Sequence, residues 1–190
     1  MAQNRKLILA SGSPRRRELL SGLNIDFTID TENTFEESLP EGVDPYQVPV
    51  LMAEGKSHGF HRNLSCAEVL ITADTVVIID GMVLGKPHSR EQAVDMLQRM
   101  SGRTHEVVTA VMLRSNEKSE LFTDVTKVVF KPLTEEEINY YIDTCKPFDK
   151  AGAYGVQEWI GYIGIERIEG SFYNVMGLPI HRLYSELKKF

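Results

Sequence analysis

The stretch "LASGSPRRRELL" places small residues, a proline and three arginines between an apolar run and a helical pattern. Ser13 before Pro14 is a helix start, because the hydroxyl can cap free backbone amides and proline suits the first helical position. Arg15 and Arg16 then fall in the first turn, where the partial positive charge of a helix amino end disfavours cations. A bound polyanion resolves that conflict: amides at a strand–loop–helix junction point at an anion, and guanidinium matches phosphate oxygens bidentately. Ser11 and Ser13 lie in the loop that would cradle it. The competing reading is a solvated basic turn in which Arg16 or Arg17 pairs with Glu18 or Glu36. If Arg16 serves phosphate, its removal leaves the ligand-free protein equally stable or slightly more so, since repulsion with the helix dipole is relieved. The loop matches neither a Walker A sequence nor a dinucleotide fingerprint.

Further along, "TADTVV" sets Asp74 after an apolar strand segment. A carboxylate at a strand end can hold a hard divalent cation or activate water, or it can simply cap a turn. Lys86 stands in the Gly-Lys-Pro turn of "LGKPHS", suited to phosphate or to solvent. "PFDKAGAYGVQ" brings Asp149, Lys150, small residues, Tyr154 and Gln157 into a loop whose glycines permit close backbone approach to a ligand. In "IEGSFYNVMGLP", Ser171 and Asn174 either line the same crevice or form local turns. The five histidines show no HxH or HExxH spacing, and no G-x-S-x-G elbow is present, which argues against a zinc site and a serine triad.

These residues need elements to hold them. Leu7 to Ala10 reads as a short strand buried on both faces, followed by a helix from Pro14 to Leu23 and a weak strand over Phe27–Ile29. "DTENTFEESLPEGVD" reads as an acidic loop, and a helix is expected from about Pro45 to His58. "EVLITADTVVIID" is the strongest strand signal, and its Asp-Gly pair suits a type I′ hairpin. "SREQ" predicts a capping box opening a helix that Gly102 ends, and Thr134 to Glu137 predicts a second one. "HEVVTAVMLR" and "ELFTDVTKVVF" read as strands, "GYIGIERIEG" as another, and "LPIHRLYSELKK" as a terminal helix with Ile180, Leu183, Tyr184 and Leu187 on one face. Alternating strands and helices with inserted hairpins predict an α/β domain with a mixed sheet flanked by helices.

The chain has 190 residues, 42% hydrophobic and 25% charged, as in an ordinary globular protein with one core. A net charge of −6 argues against broad nucleic-acid or anionic-membrane binding but not against a local arginine cluster. Cys66 and Cys145 have no metal-like spacing and read as free thiols of a reducing cytoplasm. The first apolar stretch is too short for a signal peptide and no segment approaches a membrane span, so a cytoplasmic location is expected.

Taken together, "LASGSPRRRELL", "EESLPEG", "MAEGK", "TADTVV", "LGKP", "SGRTHEVVTAV", "DKAGAYGVQ" and "IEGSFYNVMGLP" resemble the Maf family of nucleoside triphosphate pyrophosphatases, in family order and across nearly the whole chain. The resemblance implies one domain over 1–190 with an inosine triphosphatase-like fold: an elongated mixed sheet and two lobes around a cleft. It also implies a divalent metal (Mg²⁺ or Mn²⁺), a cytoplasmic enzyme and frequent homodimers. Asp74 would be the general base, Glu37 and Asp74 would handle the metal, and Ser11, Ser13, Arg16, Lys56 and Lys86 would bind phosphates. In the subgroup acting on dTTP and UTP, base choice falls on positions that here are Arg15, Thr75 and Gln157. A charge argument supports that subgroup: cationic 7-methylguanine wants an aromatic and a carboxylate, whereas the neutral uracil or thymine edge suits an amide. Glu158 and Trp159 depart from the pattern, standing where small residues are common. The rival expectation is a nucleotide-binding regulator of cell division, in which the same residues sense rather than hydrolyse and Asp74 has no required role.

Overall fold

The computed structural model describes residues 5–38 and 41–190. Of the acidic loop expected over 30–44, residues 39 and 40 therefore lie outside the description. A seven-stranded mixed sheet runs in the order β2-β1-β3-β5-β6-β7, with β4 paired to β3. By contacts the chain divides into two compact units: Met1–Asp74, Thr109–Asp124 and Gly177–Phe190 form one, and Thr75–Val108 and Val125–Met176 form the other.

In the first unit, β1 (Lys6–Leu9) lies between β2 (Phe27–Ile29) and the first part of β3 (Glu68–Ile79), parallel to both. Covering on both faces explains its continuous apolar reading: Leu7, Ile8 and Leu9 are all buried. Phe60, Leu64 and Leu70 pack with Ile8 in one cluster. Helix α1 spans Pro14–Ser21 with Ser13 as its cap, as the sequence predicts. Helix α2 spans Val48–His58, starting later than the expected Pro45. Asp44 explains the delay, because its carbonyl and carboxylate accept from Gln47 N and Tyr46 N in a turn, and Pro49 then suits the opening positions of the helix.

In the second unit, Asp80 and Gly81 both take positive φ (53° and 71°) in the tight hairpin between β3 and β4 (Met82–Leu84), as a type I′ turn requires. Helix α3 (Arg90–Met100) packs on α4 (Glu135–Cys145). The Thr134–Glu137 capping box is complete. The expected "SREQ" box is only half formed: Ser89 Oγ accepts from Gln92 N, but the Gln92 side chain turns to His88 N instead. Strands β5 (Thr104–Arg114) and β6 (Ser119–Phe130) are as expected. The stretch "GYIGIERIEG" is not all strand: "GYIG" closes a short helix α5 (Trp159–Gly164), and only Ile165–Glu169 forms β7, antiparallel to β6. A further short helix, α6 (Phe172–Met176), has no counterpart in the sequence reading. The last helix, α7 (Ile180–Leu187), buries Leu183 and Leu187.

Candidate active site

Strand β3 carries the central carboxylate, and its path explains the geometry. Asp74 lies inside the strand rather than at its end, a correction to the sequence reading. Parallel pairing with β1 stops at Ile71, and antiparallel pairing with β4 starts only at Val77. Asp74 and Thr75 sit between those neighbours, half-buried amid otherwise buried residues.

Side chains alternate along a strand, so Thr72 and Asp74 share a face. Thr72 Oγ1 donates to Ala53 O of α2 at 2.7 Å, which seats the helix on that face. Lys56, one turn further along, therefore reaches Asp74, with Nζ 2.7 Å from Oδ1. The same ammonium lies 2.9 Å from Glu37 Oε1. Lys56 is in the last turn of α2, where a cation also suits the helix dipole.

Glu37 belongs to a loop that α2 holds through absent side chains. Asn33 Nδ2 donates to Lys56 O at 2.6 Å, and Thr34 N donates to Gly59 O at 2.8 Å. A Cβ on Gly55 would fall 2.3 Å from the Phe35 ring, and one on Gly59 would fall 2.5 Å from Asn33 Oδ1 and 2.8 Å from Phe35 N. Sequence reasoning missed this clamp; "EGKSHG" carries two glycines one helical turn apart, the signal for a close crossing. Gly59→Ala should push the 33–37 segment off the helix and separate Glu37 from Lys56. The specificity constant for the activity that the family resemblance implies is expected to drop by roughly tenfold or more, the scale of an ångström-level displacement in a catalytic constellation; an unchanged constant would show that Glu37 is not required.

The opening paradox of α1 has a structural answer. Arg16 Nε donates to Gly177 O at 2.8 Å, and Nη1 donates to Ala73 O at 2.9 Å and reaches Ser11 Oγ at 3.4 Å. Ile71 O already accepts Ala10 N at 2.9 Å, so Ala73 O is the next acceptor on that edge, beyond the end of β1. Arg16 completes a ladder that the strand has left. Arg16 thus pairs with backbone carbonyls of β3 and of the turn at Gly177. Burial lowers the guanidinium pKa, with Asp74 pulling it back up and Arg15 pushing it down. These bonds run against the expectation that the ligand-free protein would not miss Arg16: the residue ties α1 to β3 and to the turn at Gly177. Ser11 and Ser13 also have local work, with Ser11 Oγ accepting Ser13 N at 3.3 Å and Ser13 Oγ accepting Arg16 N at 3.5 Å. Arg15 is half-buried in the same first turn.

The remaining sequence-predicted residues belong to the second unit, as does Thr75. Lys86 is exposed in the turn after β4, and Gly85 O of that turn accepts Gly152 N at 3.0 Å. That bond joins the Lys86 turn to the loop that leads to Gln157. Gly152 takes φ 67°, and a Cβ there would press on Val77 Cγ2 at 2.8 Å, so the loop lies directly against β3. Gln157 is half-buried, and its Oε1 is fully buried without a hydrogen-bond partner among the described residues. An unsatisfied buried acceptor is costly, and a donor from water or from a ligand relieves that cost. Ser171 and Asn174 take the structural option: Ser171 Oγ accepts Asn174 N at 3.2 Å, and Asn174 Nδ2 donates to Val107 O and Thr126 Oγ1, each at 3.0 Å. His105 is buried beside Tyr154, its Nε2 2.8 Å from the hydroxyl, and burial pushes its pKa down to about 3. Cys66 and Cys145 are free thiols.

A family model described as Maf-like protein matches residues 6–190. The chain belongs to the Maf family. A dTTP/UTP pyrophosphatase of Porphyromonas gingivalis is 51% identical, covering 97% of this chain and 94% of that protein. A dTTP/UTP pyrophosphatase of Bacteroides thetaiotaomicron is 52% identical, covering 97% and 95%. Among solved structures, a HAM1 protein from Coxiella burnetii matches with TM-score 0.50 at 15% identity over 98% of this chain and 100% of that one. That likeness bears on the fold alone, and it agrees with the mixed α/β sheet expected of a Maf domain. Among the described residues no helix is long and apolar enough to cross a membrane.

Proposed function

We propose that this Maf protein hydrolyses dTTP and UTP to the nucleoside monophosphate and pyrophosphate, acting as a single catalytic domain over 1–190. The observation that carries the chemistry is the Glu37–Lys56–Asp74 cluster, with one ammonium 2.9 and 2.7 Å from two carboxylates. Asp74 takes a proton from water, whose oxygen attacks the α-phosphorus. The bond from that phosphorus to the bridging oxygen breaks, and pyrophosphate leaves with the electron pair. Lys56, Lys86 and Arg15 neutralise the triphosphate, which is most of what phosphoryl transfer asks of a protein.

The point that Lys56 Nζ occupies would also suit a divalent cation. Two hard carboxylate oxygens converge on it, and Mg²⁺ is commonly held by one or two carboxylates plus substrate phosphates. Among the described residues no cluster of three or more His, Cys, Asp or Glu side chains could hold a metal alone, so phosphate oxygens would complete the set. Glu37 and Asp74 would hold Mg²⁺ or Mn²⁺, which supplies charge neutralisation at the phosphates, while Lys56 turns to the phosphate oxygens.

The same cluster favours an enzyme over a nucleotide-sensing regulator, because a sensor gains nothing from a carboxylate held ready by a lysine. The relatives, named as pyrophosphatases, favour it as well. Incubating UTP with the purified protein and Mg²⁺ tests the reading. UMP and pyrophosphate should form in equal amounts and stop on chelation of the metal; UDP with orthophosphate, or no turnover, would contradict it.

Base choice rests on Gln157, whose buried Oε1 awaits a donor such as the N3–H of uracil or thymine. Arg15 disfavours a cationic base by charge. Gln157→Glu faces a base carbonyl with a charge and should cost the pyrimidine substrates on the order of 1–3 kcal/mol. Adding Arg15→Trp supplies a cation–π surface and should shift preference toward 7-methyl-GTP. The ratio of specificity constants for UTP and 7-methyl-GTP checks this, and a ratio unmoved in the double variant would mean that these positions do not read the base.

A further inference from the structure

We propose that Tyr141 and Glu158 are positioning residues for base choice, forming a clasp that fixes the Gln157 side chain; the proposal rests on the reading of Gln157 as the base-contacting group. Lys150 Nζ lies 2.9 Å from Glu158 Oε1 and 2.8 Å from Asp149 Oδ1, and its side chain is only 9% exposed. The buried Tyr141 hydroxyl donates to the other Glu158 oxygen, Oε2, and accepts Gly155 N at 3.0 Å. Gln157 is therefore bracketed: Tyr141 holds the backbone two residues before it, and Lys150 and Tyr141 hold the side chain immediately after it.

The packing is built for this. A Cβ on Gly155 would stand 2.8 Å from Glu158 Cδ and 2.9 Å from its Oε2, so only glycine lets the carboxylate fold back over the loop. A Cβ on Gly161 would stand 1.9 Å from Val156 O, so α5 closes onto the residue before Gln157 through a second bare backbone. Glu158 also occupies the cap of α5, where a carboxylate normally accepts helix amides, yet its side chain makes no cap bond. The carboxylate is spent on Lys150 and Tyr141 instead. Burial first, and then Glu158, raise the Tyr141 pKa, so the hydroxyl stays a donor.

The consequence is energetic as well as geometric. A buried lysine needs its counter-charge, so the Lys150–Glu158 pair resists loosening. A loop fixed at both sides of Gln157 holds Oε1 in one place before substrate arrives, and preorganisation of this kind is what selective contacts require.

Specificity constants for UTP and CTP test the clasp, because cytosine presents an amino donor where uracil presents a carbonyl acceptor. Tyr141→Phe removes the hydroxyl, and Glu158→Gln removes the charge at nearly constant shape. Each variant should lower the UTP-over-CTP preference by about tenfold, through KM for UTP, with kcat near the wild-type value, as expected when an aimed hydrogen bond is loosened. A preference within about twofold of wild type in both folded variants would overturn the positioning role. If one of the two variants does not fold, the result from the other alone decides. Gln157→Ala separates the two levels of the account. Preference lost in Gln157→Ala but kept in the clasp variants overturns the positioning role alone. Preference kept in Gln157→Ala overturns the base-reading role, and the clasp proposal with it.

Discussion

Asp74→Asn should lower turnover by roughly a hundredfold or more while the protein stays folded, the range for loss of a general base. The substituted amide keeps the size of the side chain and an oxygen that can still accept from Lys56 Nζ, which lies 2.7 Å from Oδ1 in the native protein. Lys56 also keeps Glu37 as a counter-charge. The pair is partly exposed, with side chains 22% and 19% accessible, so its loss as an ion pair should change stability by no more than about 1 kcal/mol. Turnover and stability are thus separable at this position. Pyrophosphate release measured beside a thermal melt tests it, and wild-type turnover from a folded Asp74→Asn protein would remove Asp74 from the chemistry.

Arg16→Ala should do the reverse of what a helix-dipole argument alone suggests. The substitution relieves about 0.3–1 kcal/mol of repulsion at the helix end. It also strips donors from Gly177 O and Ala73 O, bound at 2.8 and 2.9 Å. Hydrogen bonds from a charged donor contribute about 1.5–3 kcal/mol each, so the net result should be a loss of roughly 2–6 kcal/mol in the ligand-free protein. Arg16→Lys should not restore it, because one ammonium on a flexible stem cannot reproduce a planar fork aimed at two carbonyls. Denaturant unfolding without nucleotide checks this. An unchanged midpoint in Arg16→Ala would return the residue to a purely ligand-directed role.

Arg16 also marks the limit of what the sequence made legible. The helix start at Ser13 and Pro14 was readable because capping is local. So were the Asp80-Gly81 hairpin and the Thr134–Glu137 box, each set by residues within a few positions of one another. The carbonyl that Arg16 serves was not readable, because it depends on β1 ending at Leu9 while β3 runs on past Ala73. The same limit applies to "GYIG": its apolar, aromatic composition fits a strand, yet it closes α5, where Gly161 lies too near the Val156 carbonyl for a side chain to fit. In "SREQ" the cap formed, but Gln92 found the His88 amide rather than its expected partner. Asp74, Lys56 and Glu37 were each singled out through motifs. Their convergence required Thr72 to seat α2 on β3 and Gly55 and Gly59 to admit the Phe35 loop. Glu158, which looked like a departure from the Maf pattern, is placed as a partner of Lys150 and Tyr141.

The central claim is hydrolysis of pyrimidine triphosphates between the α- and β-phosphates, and one panel tests it most directly. Purified protein with Mg²⁺ or Mn²⁺ is given each common nucleoside and deoxynucleoside triphosphate and 7-methyl-GTP, and pyrophosphate release is followed as a specificity constant for each. The account predicts dTTP and UTP at the head of the series, with 7-methyl-GTP far behind. A preference for 7-methyl-GTP or for an unmodified purine, or orthophosphate in place of pyrophosphate, would contradict it.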